Sequence, residues 1–469
     1  MYKLTCLSLL ILTAGLLRAE PAPVENQKSV SQYGITWEFD KKYPVGKFVT
    51  GDWWVVGPVT VVSVTPAPEN GRNGSVVNPP AGDKQGYDDR AMGGFDASLR
   101  AAFPLQLKPS ESLVTAVSVD KVGVKTPDTV NVQKLVGSLR TAAVLTCVTK
   151  PPAADAFRPA YVGSWKEMFT VSQLRRDLLP KLKAPAPLPE PAQYERILER
   201  IWLDHKRQYV NEYMHPLENM PNYGREIASI TSTVGLMLLV DDPTGKYNTV
   251  LLRFIQKGID YYGVVQSDPD LWIGNGGHNS GRKWPILFAG LLLDHAGMKH
   301  VKATFQEDQQ TYEGKGFRGQ TALWRIAPKG SNIQHEEVDP ATWDTYGVRP
   351  GNKPDPGNNN DGVKAEAYRY LVAPGWIGAA LSARLTGMTA CWDHPVFFEY
   401  VDRWIIEELP QTKFKIAERG KKTFQETWSG ASSAESQTRF VKAMWDEYRS
   451  KADEIGNGVL SKGSVNPKK

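Results

Sequence analysis

Between about residues 33 and 165 the apolar positions follow no helical spacing. The stretches KFVTGDWWVVGPVTVVSVTPAP (47–68), SLVTAVSVD (112–120) and LRTAAVLTCVTKPP (139–152) are rich in Val and Thr, are bounded by Gly and Pro, and alternate in part with period two. β-Branched residues at that period suit a pleated, half-buried surface, so these segments predict strands. PENGRNGSVVNPPAGDKQGYDD (68–89) reads as turn-rich loop between them. The expected unit is a β domain arranged as a sandwich.

Beyond the proline-rich connector KLKAPAPLPEPAQ (181–193) the period becomes helical. YERILERIWLDHKRQYVNEYM (194–214) reads as one amphipathic helix, and three helical hairpins follow. NYGREIASITSTVGLMLLVDD leads to YNTVLLRFIQKGIDYYG, GRKWPILFAGLLLDHAG to MKHVKATFQEDQQTYEG, and GVKAEAYRYLVAPGWIGAALSARLTG to MTACWDHPVFFEYVDRWIIEEL. In each pair the first helix is the more apolar and the second carries more charge. A buried first member with an exposed second one predicts an (α/α)n toroid, complete or incomplete, with a stacked solenoid as its rival. The irregular period and the long insertion 313–357 favour the ring. The fold class expected is therefore multidomain, β plus all-α. Its parts are a signal peptide (1–19), a β-rich domain and linker start (20–180), the linker (181–193), the toroid (194–455) and a flexible tail (456–469).

The start of the chain adds a compartment. MYK, the apolar run LTCLSLLILTAGLL and then RAEPAP match a secretory signal peptide, too short to span a bilayer comfortably. The expectation is an exported protein, periplasmic or secreted, with no membrane partner. Cys147 and Cys391 remain after cleavage, at a spacing that suggests no pairing. No CxxC, HExxH or calcium-loop pattern occurs, so neither metal nor cofactor is expected. A formal net charge of +5 is too mild for a dedicated nucleic-acid binder and suits an enzyme acting on a polyanion. Fourteen tryptophans and 18 tyrosines fit stacking on sugar faces, although most must fill cores.

The polar clusters NMPNYGRE (219–226), IGNGGHNSGRK (273–283) and PGNNNDGVKAEAYRY (356–370) each stand just before an apolar helix. If the inner helices run parallel, all three meet at one mouth of the ring, where free N–H groups and the positive dipole end favour an anion. They are rich in His, Tyr, Arg, Lys and Asn, a set that fits β-elimination at a uronic acid. An Asn, Arg or Lys stabilises charge spreading onto the carboxylate, a His or Tyr takes the C5 proton, and a Tyr protonates the departing O4. Arg282 and Lys283 sit at the helix end that disfavours cations. One of them is therefore expected to meet the substrate, Arg282 by its planar fork, and the other an acidic partner.

The helical half resembles the α/α-toroid polysaccharide lyases that cut alginate and related polyuronates. GGHNSGRKWPILFAG with EAYRYLVAPGWIGAALSARL is similar to polysaccharide lyase family 38, which acts on glucuronan or alginate, over about residues 195–450. The resemblance implies His278 as base or carboxylate contact, Asn275 or Asn279 as neutraliser, Arg282 nearby and a tyrosine as proton donor. Tyr368 is favoured over Tyr370, since neighbours on a helix diverge by about 100°, and Tyr223 is a third candidate. The expected catalytic set is His278, Tyr368, Arg282 and Asn275. Tyr223, Arg225, Trp272, Asn279, Lys283, Glu336, Asn359, Arg369 and Tyr370 are expected against the substrate.

Two rivals use other features. An inverting hydrolase would need two carboxylates, for which Glu336, Glu337, Asp344, Asp361 and Glu366 are available. A non-catalytic glycan-binding protein would explain the aromatic residues but not His278 beside Arg282 and Lys283.

Overall fold

The computed structural model describes residues 22–126, 128–130, 135–185, 188–207, 209–316, 318–331, 337, 369, 372–408 and 434–462. The expected signal peptide lies outside these residues, as do Tyr368, Tyr370, Asn359, Glu336, Asp344, Asp361 and Glu366.

The Val- and Thr-rich stretches form strands, but in one curled eight-stranded sheet, a half-barrel, where the sequence led us to expect a two-sheet sandwich. The strands are β1 (Glu25–Gln32), β2 (Ile35–Lys47), β3 (Trp53–Val56), β4 (Val59–Thr65), β5 (Ser75–Val77), β6 (Leu105–Leu107), β7 (Ser112–Ser118) and β8 (Leu139–Val148). They run in the order β5-β7-β8-β3-β2-β4-β6, with β1 also on β2. Every pairing is antiparallel except β3 with β8. The period-two alternation of β7 and β8 serves two cores at once, because successive side chains leave opposite faces of a strand. Leu113, Val117, Ala143, Leu145 and Cys147 join Trp37, Phe39 and Val61 inside the curl. Val114, Ala116, Leu139, Ala142 and Val144 join the large core that runs on through the helices.

The linker at 181–193 is therefore not a break in packing. Arg158, 1% exposed, crosses the same boundary. Its Nε donates to Asp52 Oδ2 (2.9 Å) and its Nη2 to Asp260 Oδ2 (2.7 Å), joining the turn before β3 to the third helix.

The stretch read as one helix over 194–214 is not continuous. α1 (Pro191–Leu198) stops early, and a short 3-10 turn occupies Tyr209–Met214. Between them the chain straightens. Gly82 N–H donates to His205 C=O (3.0 Å) and Arg207 N–H to Gly82 C=O (2.8 Å), while Trp202, Asp204, His205 and Lys206 are all buried. The backbone groups of His205 and Arg207 thus bond to Gly82 instead of to the carbonyls and amides four residues away that a helix would use.

The helical half contains α2 (Gly224–Met237), α3 (Asn248–Ser267), α4 (Lys283–Leu292), α5 (Ala296–Lys299), α6 (Gln306–Gln310) and α7 (Ile377–Leu385). As expected of inner helices, every residue of α4 and all but Glu226 of α2 are buried. α3, expected on the outside, is also largely buried. The expected outer helix after α4 is replaced by the short α5 and α6, then a β-hairpin of β9 (Thr311–Glu313) and β10 (Ala322–Trp324).

Contacts along α2 fix the direction of its neighbours. Ala228 meets Gly281 and Gly375, Ser232 accepts from Ala379 N–H (3.0 Å), and Gly235 meets Trp284 and Ser382. Partners advance as α2 advances, so α2, α4 and α7 run parallel with their N-termini at one end. α3 runs against α4, with Phe254 on Phe288 (ring centroids 5.2 Å) and Gly258 on Pro285.

Candidate functional site

Two of the three polar segments meet at the shared helix end. The ring of Tyr223, at the N-cap of α2, stands edge-to-face on His278 with centroids 4.6 Å apart. The Tyr223 hydroxyl accepts from Gly277 N–H (3.1 Å). Tyr209, 40% exposed, also stands against His278, with ring centroids 5.8 Å apart. Of the third segment only Arg369 is described; beyond it, Trp376 reaches the same loop, its Nε1 donating to Ser280 Oγ (2.6 Å).

His278 and Asn275 share one tight turn, closed by His278 N–H on Asn275 C=O (3.0 Å). Glycines let the loop fold this closely. Gly281 holds φ +92°, and a Cβ there would stand 2.4 Å from Ala228 Cα. A glycine-rich loop loses much entropy on ordering, so something must hold it. α6, sequence QEDQQ, does so with side chains acting as surrogate backbone partners. Gln309 Oε1 accepts from Gly274 N–H (2.6 Å), and Gln306 Oε1 accepts from Asn275 (3.3 Å) and Asn279 (3.0 Å). Gln310 Nε2 donates to Gly276 C=O (2.6 Å), and Glu307 accepts from Gly281 N–H. The loop that displays His278 and Asn275 is thus clamped at five residues from one polar face.

Arg282 has a different role from the one expected. It is fully buried, and its fork grips Asp204 through Nε–Oδ2 (2.8 Å) and Nη2–Oδ1 (3.1 Å). Its Nη1 donates to the carbonyls of His278 (2.9 Å) and Ser280 (2.7 Å). The guanidinium is therefore spent on Asp204 and on the shape of the loop, not on a substrate carboxylate. Asp204 also accepts from Tyr261 (2.9 Å) and Asn211. Burial opposes its charge, but Arg282 and His215 outweigh burial and hold the carboxyl well below its ordinary range.

Other expectations are corrected in the same way. Lys283 donates to Asp308 (2.6 Å) and to Trp392 C=O (2.6 Å), so both cations at the start of α4, not one, have acidic protein partners. Asn279 is 1% exposed, its amide on Ile273 C=O (2.8 Å). Trp272 is a core residue packed on Tyr261 (5.0 Å) and Phe305 (6.3 Å), not a sugar platform. Arg369 is buried against Glu337 (3.6 Å) and Trp404 rather than facing a ligand. Arg225 stays at the site, over the Tyr223 ring (5.7 Å) and bonded to Glu226 (Nε–Oε1 2.9 Å). The Asn275 side chain makes no hydrogen bond among the described residues, which leaves its amide available.

The sequence reading missed the acids beside this pair. Glu212 accepts from Asn222 Nδ2 (2.9 Å). Glu226 is pushed up by burial, which Arg225 opposes and Glu212 reinforces. Glu307 is pushed up to about 7 by burial, and its second oxygen has no partner among the described residues. Glu226 stands three residues past a capping position before an apolar run, a spacing that marks it as a first-turn acid. Nothing comparable flags Glu212 or Glu307. Among the described residues no His, Cys, Asp or Glu cluster is arranged to hold a metal.

Comparison with protein-family models, with curated proteins and with solved structures finds no match to this chain.

Proposed function

We propose that the protein is an exported polysaccharide lyase that cuts alginate or glucuronan by β-elimination, with its site at the N-terminal end of parallel inner helices of an α/α toroid. The observation that carries this reading is the contact of Tyr223 with His278 at that end, beside the available amide of Asn275 and the Arg225 cation. Asn275 holds the uronate carboxylate and steadies the charge that develops on it. His278 takes the C5 proton, the C5 electron pair forms the C4–C5 double bond, and the C4–O4 bond breaks. Tyr223 gives its proton to O4. It takes the donor role for which Tyr368 was favoured. Arg282 shapes the loop and does not touch the sugar.

A second reading, an inverting hydrolase, draws support from Glu212 and Glu226 at the edge of the same site, one of them raised by burial. One assay separates them. The purified protein is incubated with mannuronan, guluronan and glucuronan while ultraviolet absorbance of the new double bond and reducing ends are followed together. Elimination raises both, and Tyr223→Phe lowers the rate at least about 100-fold. Reducing ends without absorbance would overturn the lyase in favour of the hydrolase. Binding with neither signal would leave a glycan-binding protein.

A further inference from the structure

A cavity of about 700 Å³ opens in the β half, where β4 and β7 end and β8 begins, and none of its lining residues belongs to the Tyr223–His278 site. That volume falls within the range of about 300–1,000 Å³ usual for small-ligand sites. Its wall carries four cations, Arg72, Lys121, Lys125 and Arg140, against two carboxylates, Glu69 and Asp120. Arg140 stands 3.5 Å from Glu218. Arg72, Lys121 and Lys125 are exposed and make no ion pair among the described residues. Cations left unpaired around a concavity repel one another, and an anionic guest relieves that cost.

The wall is built rather than loose. Asn73 and Ser118 bond reciprocally, Asn73 N–H to Ser118 Oγ (3.0 Å) and Ser118 N–H to Asn73 Oδ1 (2.9 Å). The turn that carries Arg72 is closed by Arg72 N–H on Glu69 C=O (2.7 Å). The cavity is also tied to the candidate active site. Glu218 N–H donates to Arg140 C=O (3.1 Å) and Leu217 N–H to Leu139 C=O (3.0 Å). Five residues on from Glu218 comes Tyr223, at most about 18 Å of extended chain.

We propose that this cleft is a second, non-catalytic binding site for an anionic polysaccharide, tethering one stretch of a chain whose neighbouring stretch enters the Tyr223–His278 site. The choice of a polyuronate rests on the lyase reading. The cleft's preference for an anionic glycan rests on its own charge and shape. Tethering raises the local concentration of cleavable links and leaves the chemistry alone. It acts on long chains and not on fragments too short to reach both places.

The test compares binding and turnover in the full chain. Binding of long mannuronan is measured by calorimetry on the His278→Ala protein, with and without Arg72→Glu and Lys125→Glu. The two added substitutions weaken binding roughly tenfold or more, and added salt weakens it further. In the otherwise native protein the same pair raises KM for long mannuronan and leaves turnover of short fragments unchanged. Both residues are exposed, so the thermal midpoint stays in place. Undiminished binding in the double variant, or equal binding of a neutral glucan by the parent, overturns the cleft. Cleft-dependent binding by a parent that shows no elimination would keep the cleft and sink the lyase.

Discussion

The starts of α2 and α4 share one sequence grammar, a small polar loop, a glycine, an arginine and then an apolar helix, yet the protein uses them oppositely. At α2 the first turn holds Glu226, which suits the positive helix end and pairs with Arg225 next door. The local charges balance there, and Tyr223 is left beside His278. At α4 the N-cap and first turn hold two cations and no acid, and the partners Asp204 and Asp308 come from elsewhere in the chain. Cations that look misplaced by local rules are here the mark of long-range structure. At α4 the arginine instead holds the loop that carries His278, through the His278 carbonyl.

Breaking the buried pair should have the largest effect. Arg282→Met strands the Asp204 carboxylate without its main counter-charge, which costs about 3–5 kcal/mol of stability. Denaturant melts measure this loss, and turnover falls with it. A melt unchanged from the parent would show that Tyr261, Asn211 and His215 satisfy Asp204 without Arg282.

His278→Ala tests the other side of the comparison. Turnover should fall about 10²–10⁴-fold while the thermal midpoint moves little, because His278 is only partly buried. A large drop in the midpoint with turnover intact would make His278 a structural residue.

Glu307→Gln sharpens the comparison by pH. Burial raises the folded pKa of Glu307 from 4.5 to about 7. The folded state then holds the proton more tightly than the unfolded one. Stability from this group is full below pH 4.5 and is lost as pH rises to about 7. The glutamine variant should lose that slope and be the more stable protein at pH 8. Parallel stability curves for variant and parent across this window would refute a buried proton at Glu307.

Periodicity made β3, β4, β7 and β8 legible, because Val114 and Ala116 alternate with Leu113 and Val117 on opposite faces, but it missed β1 and read β5 as part of a turn-rich loop. It could not reveal a single curled sheet. The parallel pairing of β3 with β8 joins Trp53 to Leu145 across a long stretch of chain, and no local pattern records a distant partner. Tyr223 and His278 were legible as polar residues before apolar helices. Asp204 was hidden inside WLDHK, which reads as the continuation of α1 until the chain straightens. QEDQQ read as a solvated outer helix, whereas its Gln306, Glu307 and Gln310 are buried and hold the loop in front of them. A polar side chain that satisfies buried backbone looks in sequence just like one facing water.

The two-faced burial of β7 and β8 also governs how the molecule comes apart. A core that continues from Val144 through Phe254 and Trp376 joins sheet and helices in one packed cluster, so the two halves are expected to unfold together. A truncation beginning at the proline-rich 181–193 stretch would bare the helical face that Val114, Ala116 and Val144 cover. Such a fragment would present a contiguous greasy surface and aggregate on expression. Excising the helical half therefore means carrying the sheet with it.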